Sequence, residues 1–253
     1  PMEYIAILAF LLGLPFTYTQ LEVKKIENKY PPLGYFKNID GYNIHYTDIG
    51  SGQPVVLLHS QPANERQFDV LKNKLKENYR VISIDRPGVG YSEGPKVNSS
   101  DRLFIRAEII SKLLQEITDE KPIVIGHSYG GALALSLALY EEKNLKKLIL
   151  VNTASHPWKG EGVWLPFKII TNPLIGKIFS RTYAMIYGQS VINRSADDNF
   201  PDNKPTPGFI NRVGAELTLR PATLESYALD AINLKSALSK QFKKYENLSI
   251  PVT

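Results

Sequence analysis

"KPIVIGHSYGGALALSLALY", from Lys121 to Tyr140, is the stretch that decides the reading. "PIVIG" is a short apolar run of strand length, and after Ser128 the chain continues with helix-forming Ala and Leu. Only a few residues separate the two patterns. A strand passing into a helix this abruptly forces its apex residue out of the ordinary backbone regions. Gly126, Gly130 and Gly131 let the two segments approach without Cβ clashes. Ser128 sits at the apex. Its hydroxyl is expected to stand above the carboxyl ends of a parallel sheet, where open α/β sheets place their ligands. The Tyr129 N–H follows at the start of a helix, where the dipole favours negative charge. A serine oxygen attacking a carbonyl needs such a donor for the developing oxyanion, so Ser128 is the candidate nucleophile.

Upstream, "YFKNIDGYNIHYTDIG" (35–50) alternates apolar and polar residues around Asp40-Gly41, a hairpin signal. "PVVLLHS" (54–60) and "RVISID" (80–85) are continuous apolar runs of the kind buried on both faces. Phe68, Leu71 and Leu75 predict a helix over 64–79. Leu103, Ala107, Ile110, Leu114 and Ile117 predict another, capped by Ser100 or Asp101. "KKLILVNT" (146–153) is a further strand. Strands alternating with helices predict an α/β fold: a mostly parallel, doubly wound sheet with an N-terminal antiparallel hairpin at its edge.

Beyond Ala154 the rhythm breaks. Aromatic and apolar segments, a polar Pro-rich loop at 194–209 and a helical pattern starting at Pro221 predict a helical lid insertion over 154–247. "LSIPVT" (248–253) then begins another core strand. The expected organisation is an apolar segment and linker at 1–32, the first part of the core at 33–153, the lid at 154–247 and the core resuming at 248–253.

Bulk properties narrow the function classes. The formal charge is +5 over 253 residues, from scattered lysines without a dense tract, which reads as solvated surface and not as a nucleic-acid patch. With no cysteine, disulfides, thiolate catalysis and Cys-ligated zinc are excluded. No His/Asp ligand cluster calls for a metal, and nothing calls for an organic cofactor. At the N-terminus, residues 4–21 ("YIAILAFLLGLPFTYTQL") carry no charge, close to the ~20 residues that cross a bilayer as a helix. This stretch is expected to associate the protein with a membrane as a single span. Lys24, Lys25 and Lys29 follow it while only Glu3 precedes it, which by the positive-inside rule leaves the globular part in the cytoplasm.

Three stretches together, "VVLLHSQP" (55–62), "DRPGVGYS" (85–92) and "GHSYGG" (126–131), resemble the α/β-hydrolase superfamily in its lid-bearing serine-hydrolase branch. The resemblance covers roughly 33–253. It implies Ser128 as nucleophile and the main-chain N–H groups of Gln61 and Tyr129 as the oxyanion hole. One position departs from the pattern: Ser60 stands where the family usually has glycine. The family's chain order is Ser, then Asp or Glu, then His. The resemblance therefore puts the acid after the strand begun by "SIPVT" and the histidine after the next, both beyond Thr253, so that the sequence reads as the front of a longer hydrolase. Residues within the chain receive other readings: His59 and His127 structural, with His127 turned away from the apex, His156 at the lid entrance, Asp85 bracing the glycine loop, and Asp230 solvated on a lid helix.

The function implied is hydrolysis of a small-molecule ester or related carbonyl compound through a Ser128 acyl-enzyme. Two alternatives stand beside it: a carbon–carbon bond hydrolase on the same fold, and a membrane-anchored binding protein without chemistry. Haloalkane dehalogenases and epoxide hydrolases need a carboxylate at the elbow, where this chain has serine.

Overall fold

The computed structural model describes residues 2–160, 162–198, 200 and 204–253. The apolar runs form the strands of a six-stranded sheet. In chain order they are β1 (Tyr35–Ile39), β2 (Tyr42–Ile49), β3 (Pro54–Leu58), β4 (Arg80–Ile84), β5 (Ile123–His127) and β6 (Lys147–Val151). Their spatial order is β1-β2-β4-β3-β5-β6. β1 and β2 pair antiparallel through the Asp40-Gly41 turn, and β2 runs antiparallel to β4. From β4 to β6 every pairing is parallel.

All five residues of β3 are buried, as a strand covered on both faces requires. Its side chains alternate between two cores. Val56 and Leu58 face helices α3 (Arg102–Ile117) and α4 (Tyr129–Glu141), packing with Ile110, Leu113, Ala132 and Leu133. Val55 and Leu57 face the opposite side, against Phe68, Leu71 and Leu75. The sheet is thus doubly wound, as the alternating pattern predicts.

The helix expected over 64–79 is divided. A 3-10 turn at Glu65–Phe68, capped by the Asn64 side chain accepting from the Arg66 N–H at 3.0 Å, precedes α2 (Asp69–Leu75). At the far edge, 251–253 joins the sheet through one parallel bridge, Leu148 to Val252, with the Leu150 N–H donating to the Thr253 carbonyl at 2.8 Å.

Between β6 and that bridge the described elements are helices joined by loops, the α-helices being α5 (Leu165–Ile170), α6 (Gly176–Arg181), α7 (Tyr183–Asp198), α8 (Phe209–Arg212) and α9 (Pro221–Gln241). The N-terminal helix, α1 (Met2–Lys29), extends eight residues past the expected end of the apolar span. It is long and apolar enough to cross a membrane. Its start is exposed, with Phe10 at 65%. Its end docks on the helical layer, where Ile26 and Tyr30 pack with Met185, Leu217 and Leu219. Thr19, inside the apolar stretch, is fully buried and donates to the Thr182 carbonyl at 3.0 Å.

Candidate functional site

The elbow forms where β5 ends. Ser128 has φ 52° and ψ −114°, a conformation that L-residues seldom adopt. Its N–H donates to the Val151 carbonyl of β6 at 3.0 Å, and its carbonyl accepts from Gly131 and Ala132 N–H at 3.0 and 3.3 Å. The bend is held from the sheet on one side and from the helix on the other. The glycines are required by contact. A Cβ on Gly130 would lie 2.6 Å from the Leu58 carbonyl carbon and 2.7 Å from the His59 oxygen. One on Gly126 would lie 2.5 Å from the Gly130 oxygen. Small residues here let the first turn of α4 sit directly on the end of β3, and that closeness sets the corner.

Ser128 is half-buried and lines a cavity of about 660 Å³ between the carboxyl end of the sheet and the helical layer. Ser60, Gln61, Gln67, His127 and Asn152 share that cavity. Asn152, just past β6, also has a left-handed backbone, with φ 47°. Tyr129 contributes its main chain to the first turn of α4. Its ring is buried, 4.2 Å from the Arg86 guanidinium carbon.

The loop after β3 is held by side chains. The Gln67 side-chain oxygen accepts from the Ser60 N–H at 2.8 Å, and its amide nitrogen donates to Ser60 Oγ and to His127 Nδ1, both at 3.0 Å. The serine that replaces the family's glycine therefore has a partner for its hydroxyl. The Gln61 amide nitrogen donates to the Tyr227 carbonyl at 2.7 Å, and the Ala63 N–H donates to the Tyr227 hydroxyl at 3.1 Å. The Gln61–Pro62 peptide bond is cis.

Of the histidines, His59 is fully buried. It accepts from the Arg86 N–H at Nε2 and faces the Ser60 carbonyl with Nδ1. Burial, with Arg86 beside it, pulls its pKa down to about 3, so the ring is neutral. His127 does not turn away from the apex: it lines the cavity, and burial lowers its pKa as well. His156 lies outside the cavity, its ring against Phe242 and Tyr245. Asp85 accepts from the N–H groups of Glu65 and Tyr91 and pairs with His45 Nδ1 at 2.8 Å, tying the glycine loop to β2.

Asp230 corrects an expectation. It is fully buried, and its carboxylate meets Arg86, Arg102 and Arg106 at 3.2, 2.6 and 2.5 Å. Burial alone would raise its pKa, but the three guanidiniums outweigh it and hold the carboxyl down at about 2. Arg102 and Arg106 lie one turn apart on α3, so they converge on a single acid from α9. Among the described residues no group of three or more His, Asp or Glu is arranged to hold a metal.

Comparison with known proteins agrees with this architecture. Residues 53–173 match the family model of the alpha/beta hydrolase fold. The Bacillus subtilis (strain 168) AB hydrolase superfamily protein YfhM is 38% identical over 128 residues, covering 48% of this chain and 43% of that protein. The 2-hydroxy-6-oxo-6-phenylhexa-2,4-dienoate hydrolase of Comamonas testosteroni is 30% identical over 166 residues, covering 62% of this chain and 58% of that protein. The chain spans about half the length of the curated relatives it matches. Among solved structures, an esterase from Exiguobacterium antarcticum superposes with a TM-score of 0.65 at 26% identity, covering 87% of this chain and 79% of that one. With the sheet order, the glycine-fenced serine corner and these likenesses in agreement, the chain has the α/β-hydrolase fold.

Proposed function

We propose that the protein is a serine hydrolase acting on an ester-like small molecule. In this reading Ser128 Oγ attacks the substrate carbonyl, and the main-chain N–H groups of Gln61 and Tyr129 receive the oxyanion. The ester C–O bond then breaks, the alcohol leaves with the proton given up by the serine, and water cleaves the acyl-enzyme to release the acid and restore the Ser128 hydroxyl. One observation carries the reading: a serine in a strained backbone conformation borders the same cavity as the loop bearing Gln61. Strain of this kind persists only where the surroundings over-determine it, and it concentrates at functional sites. A neutral, fully enclosed His59 is a poor candidate for the base, and the family's chain order puts the triad's acid and histidine later in sequence.

The test is labelling of the full-length protein with a fluorophosphonate. Covalent modification that disappears in Ser128→Ala is the expected result. Equal labelling of the variant would refute the assignment.

A second reading keeps the serine but breaks a carbon–carbon bond next to a carbonyl. The Comamonas relative, named for a dienoate substrate, favours it. Side-by-side turnover of a simple aryl ester and a dienoate separates the two.

The reading also gives residues 4–21 of α1 an anchoring role, supported by an uncharged and largely exposed helix face. Retention in the membrane pellet after carbonate washing is expected. Release into the supernatant would refute it.

A further inference from the structure

We infer that the cavity is filled from a lipid bilayer and that its substrate is a long-chain acyl lipid. The inference rests on the proposed Ser128 chemistry and names its substrate class. It starts from the cavity's rim. Trp164, Tyr187 and Val191 line the cavity and are also 50%, 63% and 40% exposed, so the mouth is edged by large apolar and aromatic side chains. The walls are mostly apolar, with Phe167, Phe179 and Ile192 among them, while Ser60, Gln61, Gln67, His127 and Asn152 join Ser128 as polar lining and Ser195 and Thr218 add two hydroxyls from the helical layer. A water-borne polar substrate gains nothing from such an entrance, whereas an acyl chain does.

The surroundings of the mouth are apolar too. Leu165, Leu174, Ile175 and Ile178 of the α5–α6 region are 65%, 82%, 53% and 48% exposed. Soluble monomers seldom leave aliphatic groups this densely open to water. Lys168 and Lys177, both exposed, are interleaved with them. Lysine among aliphatic and aromatic side chains suits a headgroup boundary, where ammonium groups meet phosphates and the apolar groups enter the acyl layer.

What identifies the occupant is continuity with α1. Thr19 donates to the Thr182 carbonyl, at the junction of α6 and α7, and the Tyr183 hydroxyl donates to the Leu11 carbonyl at 3.0 Å. Tyr183 lies one helical turn before Tyr187 on the cavity rim. The uncharged helix thus crosses the helical layer beside the entrance. Wherever that helix enters a bilayer, the mouth is held at the bilayer's edge.

The experiment uses the full-length protein in vesicles of phosphatidylcholine and phosphatidylglycerol. Leu174→Asp and Ile178→Asp change the surface without touching a cavity-lining residue, and α1 still anchors both variants. Hydrolysis of a vesicle-embedded long-chain phospholipid is expected to fall about 10-fold or more, because a carboxylate resists entry into the acyl layer. Turnover of a water-soluble short-chain ester should be unchanged. In parallel, a nitrobenzoxadiazole fluorophore on Ile178→Cys should be quenched by vesicles carrying bromines on their acyl chains. Soluble-ester turnover that depends on Ser128, combined with unaltered lipid hydrolysis in the Asp variants or no quenching, overturns the inference and leaves the serine chemistry standing. If Ser128→Ala retains both activities, the serine reading falls instead, while the quenching still decides bilayer contact.

Discussion

The side-chain amide of Gln67 donates to His127 Nδ1 at 3.0 Å, and the same side chain holds Ser60 through both its N–H and its hydroxyl. One residue therefore ties the loop before Gln61 to the residue before Ser128. The proposed oxyanion donors lie on these two segments, and their separation is set by this bridge. Gln67→Leu preserves size and deletes all three bonds. On the proposed chemistry, a small misplacement of an oxyanion donor lowers kcat by ~10-fold to ~100-fold. KM for a small ester should change little, because Gln67 acts on the loop and not on the acyl chain. Unchanged kcat in a folded Gln67→Leu protein would remove Gln67 as a positioning residue.

Gly130→Ala tests the packing that makes the corner. The added methyl meets the backbone of Leu58 and His59, neither of which can rotate away. Overpacking of this kind costs about 1–3 kcal/mol, a loss of several degrees in Tm for a chain of this size. Gly162→Ala, with no atom within 4 Å of the new methyl, should stay within about 0.5 kcal/mol of the parent. Equal melting of the two variants would show that α4 is free to retreat from β3.

The contrast between what the sequence reveals and what it hides follows from contact range. The elbow, the parallel strands and the Asp40-Gly41 hairpin are legible because their signals are local: glycine spacing, apolar runs, a turn dipeptide. Asp230 was hidden because its partners are 124 to 144 residues away, and an acid on a helix reads as solvated until those partners are placed. Gln67 looks like any polar residue in a short helix, and Asn152 gives no hint of its left-handed backbone. Gln67 acts by bridging segments distant in sequence. The apolar span at 4–21 was legible as composition, but its continuation to Lys29 and its docking through Thr19 were not.

Asp230→Asn should be among the most damaging single substitutions outside the elbow. Asn fits the space but leaves Arg86, Arg102 and Arg106 enclosed without a counter-charge. Ser226 Oγ, the carbonyls of Pro95 and Val97 and the Tyr129 ring already engage those guanidiniums, so no spare acceptor takes over. Breaking a buried ion pair from one side costs about 3–5 kcal/mol, on the order of a 10 °C drop in Tm. Adding Arg106→Met to Asp230→Asn should recover part of that loss, since it removes one of the stranded cations. Additive losses in the double variant would show that the two residues do not interact.

Acid should destabilise the protein through two groups in succession. His59 takes a proton at about 6.5 when unfolded but only near 3 when folded. Between those values the unfolded chain binds the extra proton, so stability falls as pH drops, by about 1.4 kcal/mol per unit or about 3–5 °C in Tm. Asp230, with a carboxyl held down at about 2, adds its loss below about pH 4, where the unfolded acid protonates first. His45 works in the opposite direction. Burial pulls it down, but Asp85 on one ring nitrogen and the Leu33 carbonyl on the other outweigh that and raise its pKa. Its contribution is complete below about pH 6.5 and is lost as pH rises through the raised value. Thermal melts should therefore peak near neutrality, and His59→Gln should flatten the slope between about pH 6 and 4 while leaving the alkaline side untouched. An acid slope that persists in His59→Gln would mean that another group takes up the proton, and that the ring beside Ser60 is already accessible in the native state.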